Sequence, residues 1–265
     1  MSRTPVMLSV AGSDPSGGAG IQADLKTATA LGVYAGAVLT ALTAQNTTGV
    51  QGIHAVPPEF VGTQLESVLT DLDVRAVKIG MLGAPEVAAV VADALRRRPV
   101  PAVVLDPVMV ASSGDRLVPQ ETIEVIATEL LPLATVVTPN VPEAQILTGA
   151  AVDDLAGLEL AGQLLVEAGA RAALVKGGHL SGAESIDLLV TGEGAQKLAA
   201  PRVETPHTHG TGCTLSSAVA AFLVRGEPLQ EAVARAKDYL VAALASGSRR
   251  DVGAGHGPVD HLGGR

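Results

Sequence analysis

Short β-branched runs alternate along the chain with longer Ala- and Leu-rich segments whose apolar positions recur every three to four residues. The first pattern predicts strands and the second amphipathic helices. Strands are expected over Val6–Ala11, Ala37–Thr43, Arg75–Ile79, Ala102–Leu105, Thr135–Thr138 and Ala172–Val175. Helices are expected over Ile21–Leu31, Glu59–Leu69, Glu86–Arg97, Glu121–Leu131, Ala156–Ala168, Thr214–Val224 and Leu229–Ala245. Ile186–Val190 suggests an antiparallel pair near a lid or an edge. The runs VVL and VVT are continuously apolar at their valines, as strands buried on both faces should be. Together these patterns predict an α/β fold whose mostly parallel sheet is covered by helices on both sides. No composition break, repeat or charge block marks a linker, so residues 1–265 are read as one domain. The glycine-rich stretch from Ser246 is expected to be partly loose.

Composition narrows the partners. The chain carries 18 Lys and Arg against 27 Asp and Glu, a net charge of −9, with two Tyr, two Phe and no Trp. Nucleic-acid binding needs clustered cations and stacking aromatics, so no such partner is expected. Apolar stretches are broken well before the roughly 18 residues of a membrane span. The N-terminal apolar run passes straight into a Gly-rich turn, which reads as a first strand rather than a secretory signal. One cysteine, Cys213, cannot form an internal disulfide and fits a reducing compartment. A cytoplasmic location is the expectation.

Ligands of such sheets sit beyond the C-terminal ends of the strands, and five segments there have unusual composition. Ala11–Gly20 (AGSDPSGGAG) either is a flexible turn or brings backbone close to a ligand. It lacks the P-loop lysine pattern. Its loose GxGxxA match comes late after the strand, and no acid follows between Thr27 and Thr48 to hold a ribose. Gln45, with Asn46, sits after an apolar strand, where its amide can cap a turn or read an aminopyrimidine edge. Asp106 and Glu143 each follow a buried strand; they suit a turn and a helix cap, or Mg²⁺ held together with phosphates. Lys176, beside Gly177 and Gly178, can meet a phosphate as a point charge. Finally, HTHGTGCT (His207–Thr214) opens a helix. Gly210 and Gly212 bare its first-turn amides, which makes an anion site suited to a phosphoryl group in transfer. Cys213 there is either a small buried residue or a thiol of lowered pKa able to accept a proton. His207 and His209 find no third metal ligand nearby, so zinc is not expected.

The blocks SVAGSDPSGGAGIQADLKT, TALTAQNT, KIGML, VLDPVM, TPNVPEA, KGGH and HTHGTGCTLSSA, in this order, resemble the hydroxymethylpyrimidine/phosphomethylpyrimidine kinase family of thiamine biosynthesis from about Val6 to His261. The resemblance implies a ribokinase-like three-layer α/β/α sandwich with a reduced lid, a homodimer, and ATP with Mg²⁺. It implies phosphorylation of 4-amino-5-hydroxymethyl-2-methylpyrimidine to its monophosphate and then to the diphosphate. It assigns the pyrimidine edge to Gln45 and the pocket lining to Gly12, Asp24, Met81 and Val108. Mg²⁺ falls to Asp106 and Glu143, and the surroundings of ATP to Lys176, Thr208, His209 and Thr211. The Gly210–Cys213 backbone becomes the anion hole, with Cys213 where sugar kinases of the superfamily carry an Asp base.

Three other readings compete. A pyridoxal kinase shares the template, since pyridoxal is also a flat heteroaromatic with a hydroxymethyl arm. A ligand sensor would need no site for a phosphoryl group in transfer. A sugar or nucleoside kinase would want hydroxyl-binding Asp and Asn and an Asp in place of Cys213.

Overall fold

The computed structural model describes residues 3–109, 118–178, 180 and 182–263. His179 of the KGGH block lies outside the described residues. Among the described residues nine strands form one sheet in the order β3-β2-β1-β4-β5-β6-β7-β8-β9. They are β1 (Pro5–Ser13), β2 (Tyr34–Asn46), β3 (Gly49–Ala55), β4 (Asp73–Ile79), β5 (Ala102–Leu105), β6 (Val136–Val137), β7 (Ala172–Lys176), β8 (Glu184–Thr191) and β9 (Gly194–Pro201). The run from β2 through β1 and β4 to β7 is parallel. The edge strand β3 on one side, and β8 and β9 on the other, pair antiparallel.

Helices cover both faces. α1 (Gly20–Ala30), α7 (Thr211–Val224) and α8 (Leu229–Gly247) pack on one side, where Met7, Ala76, Val104 and Leu174 meet Ala218, Phe222 and Ala236. α2 (Pro58–Asp71), α3 (Pro85–Arg97), α4 (Gln120–Val125), α5 (Val141–Thr148) and α6 (Leu155–Glu167) belong to the other side, where Leu8, Val10, Val77 and Ile79 meet Leu65, Val91 and Leu158. The alternation along β4 is the period-two rule of a strand buried on both faces: Ala76 and Lys78 look toward α1 and α7, Val77 and Ile79 away. Fold class and layers agree with the sequence reading.

Several boundaries differ. β2 runs on through Asn46 and turns into β3, so Gln45 lies within a hairpin and not after a strand. β1 pairs with β2 only as far as Leu42, and the hairpin projects beyond it as a short flap. The expected helix Glu121–Leu131 is α4 followed by a π turn, Ile126–Leu130, and a 3₁₀ turn, Leu131–Leu133. α5 begins at the TPNVPEA block, where Asn140 and Glu143 form a reciprocal capping box.

The tail is docked rather than loose. The amides of Gly255 and His256 donate to Thr47, that of Val259 to the His209 carbonyl and that of Asp260 to the Ala243 carbonyl. His261 ends this segment in a buried position, and among the described residues its Nε2 has no hydrogen-bond partner. Burial pushes its imidazole down to about 4. Its neutral form is favoured only in the folded chain. That contribution is fully present above the ordinary histidine value of about 6.5 and disappears as pH falls through 4. We expect the wild type to lose about 3 kcal/mol more stability than His261→Gln between pH 7 and pH 4. Urea melts at both pH values measure it; parallel losses would contradict the burial account.

Candidate active site

The sheet order reverses at β1, where the chain leaves to one side for β2 and to the other for β4. Such a switch point opens a crevice beyond the strand ends. A cavity of about 720 Å³ fills it. Its wall includes Gly12 after β1, Gln45 on the hairpin, Met81 after β4, Asp106 and Val108 after β5, Glu143 on α5, Lys176 at the end of β7, and Thr208–Cys213 at the start of α7. All but one of the site residues expected from the sequence therefore line one cavity.

The exception is Asp24. It is wholly buried beneath the cavity, where it accepts hydrogen bonds from Ser9 (2.6 Å) and Ser217 (2.7 Å) and pairs with Lys78 Nζ at 2.9 and 3.0 Å. The cavity is lined by Lys78, which is also wholly buried. Asp24 thus holds a lysine and does not form pocket wall. A substrate contact assigned to it is corrected to a support role.

Gly210 sets the entrance of α7. Its φ of 80° and ψ of 8° are left-handed, and a Cβ there would run into the Gly18 carbonyl. No side chain caps the helix. The Thr211 amide donates to the Thr208 carbonyl at 3.2 Å, so it is not free for a ligand. The open donors are the amides of Gly212 and Cys213, which have no partner among the described residues. A Cβ built on Gly212 would lie 3.3 Å from Lys176 Nζ and 3.6 Å from Asp106 Oδ2. The helix start, the lysine and the carboxylate therefore face one small volume.

Lys176 Nζ reaches Asp106 Oδ1 at 3.1 Å, and Thr138 and Ser216 donate to the same carboxylate at 3.2 Å each. Burial works against the charged form of Asp106, but Lys176 and Lys78 outweigh it and hold the carboxyl below its usual range. Glu143 is different. Burial, reinforced by Asp106, pushes it up to about 7 against the pull of Lys176. One of its oxygens accepts from the Asn140 amide at 2.9 Å. The cap and the ligand-facing readings of Glu143 thus hold together. Among the described residues no group of three or more His, Cys, Asp or Glu converges as a metal cage. Two carboxylates and a phosphate-sized space match what Mg²⁺ takes from a protein that supplies nucleotide.

Cys213 contradicts one expectation. A helix start lowers a thiol pKa, but burial dominates here and pushes Cys213 up to about 11, with Lys78 opposing. The thiol is neutral at pH 7. Residues that the sequence reading passed over also line the cavity: Asp14, Lys78, and the buried pair Lys237–Asp187, joined at 2.7 Å. Lys237 and Asp187 sit on α8 and β8, far apart in sequence, with no local motif to mark them.

An open crevice with bared amides, a paired lysine and carboxylate, and a hairpin flap define a small-molecule kinase of the ribokinase-like class. The family model for phosphomethylpyrimidine kinase matches residues 14–260. The hydroxymethylpyrimidine/phosphomethylpyrimidine kinase of Rhizobium meliloti is 53% identical over 98% of this chain and 97% of its own length. The thiamine biosynthesis bifunctional protein of Geobacter sulfurreducens is 51% identical over 97% of this chain, which spans 52% of that longer protein. The pyridoxal kinase of Staphylococcus aureus, solved in complex with ADP, superposes with a TM-score of 0.91 at 33% identity, covering 99% of this chain and 95% of that one. The chain belongs to the phosphomethylpyrimidine kinase family. No helix among the described residues is long and apolar enough to cross a membrane.

Proposed function

We propose that this chain transfers the γ-phosphoryl group of ATP to the hydroxymethyl arm of 4-amino-5-hydroxymethyl-2-methylpyrimidine, and then a second phosphoryl group to the resulting monophosphate, as a step of thiamine biosynthesis. The observation that carries it is the convergence of Gly212, Lys176 and Asp106 on one volume within the cavity that Gln45 also lines. In the first transfer a P–O bond to ADP breaks, one to the alcohol oxygen forms, and the hydroxyl proton is released. Charge spreads over the moving group in a loose state. The amides of Gly212 and Cys213 and the Lys176 ammonium are placed to receive it. Mg²⁺ would be held by Asp106 and Glu143 and would neutralise phosphate charge. Gly12, Met81 and Val108 would flank the pyrimidine, and Thr208 and Thr211 the nucleotide. We place the enzyme in the cytoplasm as a homodimer of one kinase domain each, acting on small molecules with no nucleic-acid or membrane partner. A phosphorus NMR time course with the pyrimidine alcohol and Mg-ATP should show the monophosphate and then the diphosphate. ADP without either product would overturn the assignment.

Pyridoxal remains the second reading, on the strength of the close superposition with a pyridoxal kinase. Gln45 favours the aminopyrimidine, because an amide can pair with both a ring nitrogen and an exocyclic amine. Competitive kinetics decide it: kcat/KM higher for pyridoxal would reverse the choice.

A thiol raised to about 11 is not a resident base at neutral pH. Cys213 is proposed to orient the acceptor hydroxyl, whose proton leaves late in a loose transfer. We expect log kcat to stay flat between pH 8 and pH 9, above the titration of Glu143, and Cys213→Ala to lower kcat about tenfold. A unit slope over that range, absent in the alanine variant, would assign the thiolate as base instead.

A further inference from the structure

We infer that Asp14 is a positioning residue for phosphoryl transfer, acting through His209 to fix the open amides at the start of α7. This rests on the kinase reading above and extends it to a residue outside the converging lysine and carboxylates.

Asp14 is buried, and both its oxygens are saturated from within the protein. Oδ1 accepts from the Ser16 amide at 2.9 Å and the Ser16 hydroxyl at 2.7 Å. Oδ2 accepts from the amides of Gly18 (3.1 Å) and Ala19 (2.8 Å) and from His209 Nε2 at 2.8 Å. A carboxylate so occupied has no lone pair left for a metal or a substrate proton. These bonds hold it well below the usual carboxylate range despite burial. What it does is shape residues 14–19 into one rigid turn and tie that turn to His209.

The tie reaches the anion site by contact. A Cβ on Gly18 would collide with the His209 ring, and one on Gly210 would collide with the Gly18 carbonyl. The turn therefore lies flush on the residue that opens α7. Its far end, Gly20, lines the same cavity as Cys213. His209 is fixed from a third side: its amide donates to the Gly257 carbonyl at 3.1 Å and its carbonyl accepts from Val259 at 3.3 Å. With Nε2 donating to Asp14, that ring nitrogen is not available to a nucleotide. The turn, the tail and α7 meet at His209, and Gly210–Cys213 follow directly from it in the chain. A displacement of about 1 Å in such a site costs on the order of a hundredfold in rate.

The test uses the full chain with Asp14→Asn, His209→Ala, His209→Gln and the double variant Asp14→Asn/His209→Ala. Steady-state kinetics with the pyrimidine alcohol and Mg-ATP are read beside amide hydrogen exchange of residues 210–214 in the ligand-free protein. We expect Asp14→Asn and His209→Ala each to lower kcat about 10–100-fold with both KM values within about threefold. Exchange at Thr211 and Thr214, whose amides bond the Thr208 and Gly210 carbonyls, should quicken about tenfold in both. The double variant should be no slower than the slower single one, and His209→Gln, which keeps a donor, should recover most of the rate. Multiplying losses in the double variant, a rise confined to the KM for ATP in His209→Ala, or unchanged exchange would overturn the inference. Should Asp14→Asn fail to fold, the His209→Ala and His209→Gln pair decides alone. Exchange needs no turnover, so a wild type that transfers no phosphate while its variants loosen 210–214 would sink the kinase reading and the role in phosphoryl transfer, and leave only the tie from Asp14 through His209 to the helix start.

Discussion

Gly210→Ala is expected to lower kcat on the order of 10²–10³-fold, the cost of losing one donor of a preorganised anion site. Two effects combine. A left-handed φ costs an L-residue about 1–2 kcal/mol, and the added methyl has no room against the Gly18 carbonyl. Strain of that kind is relieved by moving the backbone, and the backbone here leads straight into the amides of Gly212 and Cys213. The control is Gly226→Ala. Gly226 also has a positive φ, of 87°, but nothing lies within 4 Å of the position its Cβ would take. It should lose only the conformational part, about 1–2 kcal/mol, and keep its kcat. The comparison is made by thermal melts and single-turnover transfer on both variants. If Gly210→Ala melts like the control and turns over like the wild type, the helix start is not where the phosphoryl group is held.

The parts of the fold that were legible are those where a local pattern and a global demand coincide. The parallel strands β1, β4, β5 and β7 are buried on both faces, so their apolar runs are unbroken enough to read directly. β3 was hidden because an edge strand has only one neighbour, and GVQGIHA carries polar and glycine residues that water tolerates. α5 was hidden because Pro142 and Asn140 read as a turn until Glu143 closes the capping box. Glycines at the tail suggested slack, yet Gly255 is there because a Cβ would strike the Thr47 carbonyl. In the site, the residues at strand ends could be found from their position after apolar runs. Asp14 could have been flagged as an acid at the head of the Gly-rich turn. The desolvation of the half-buried Cys213 thiol, which reverses the expected direction of its pKa, depends on what α1 and β4 place beneath it, and no local spacing reports that.

Lys78→Met is expected to destabilise the chain by about 3–5 kcal/mol, the cost of stranding one member of a buried ion pair. Lys78 falls on the α1-facing side of β4, where the period-two pattern asks for an apolar residue as small as its neighbour Ala76. The structure instead places an ammonium there and brings it Asp24 from α1, with Ser9 and Ser217 supplying the remaining donors to that carboxylate. Burial alone would strip the proton from such a lysine, but Asp24 outweighs it and keeps Lys78 above its ordinary value. With methionine at 78, two hydroxyls face an uncompensated carboxylate. The pair Lys78→Met/Asp24→Leu removes both charges and should recover most of the loss, since an apolar replacement of a whole buried pair is often neutral. The recovered double variant then separates fold from function. Lys78 opposes the rise of the Cys213 thiol and favours the charged form of Asp106 from below the cavity. Asp24 pushes the same thiol up, so losing the pair together should move the Cys213 titration less than losing Lys78 alone, measured by the pH dependence of alkylation. Urea melts of Lys78→Met, Asp24→Leu and the double variant test the first part. Single losses below about 1 kcal/mol, or a double variant no better than the worse single one, would show that the pair is not the electrostatic floor of the site.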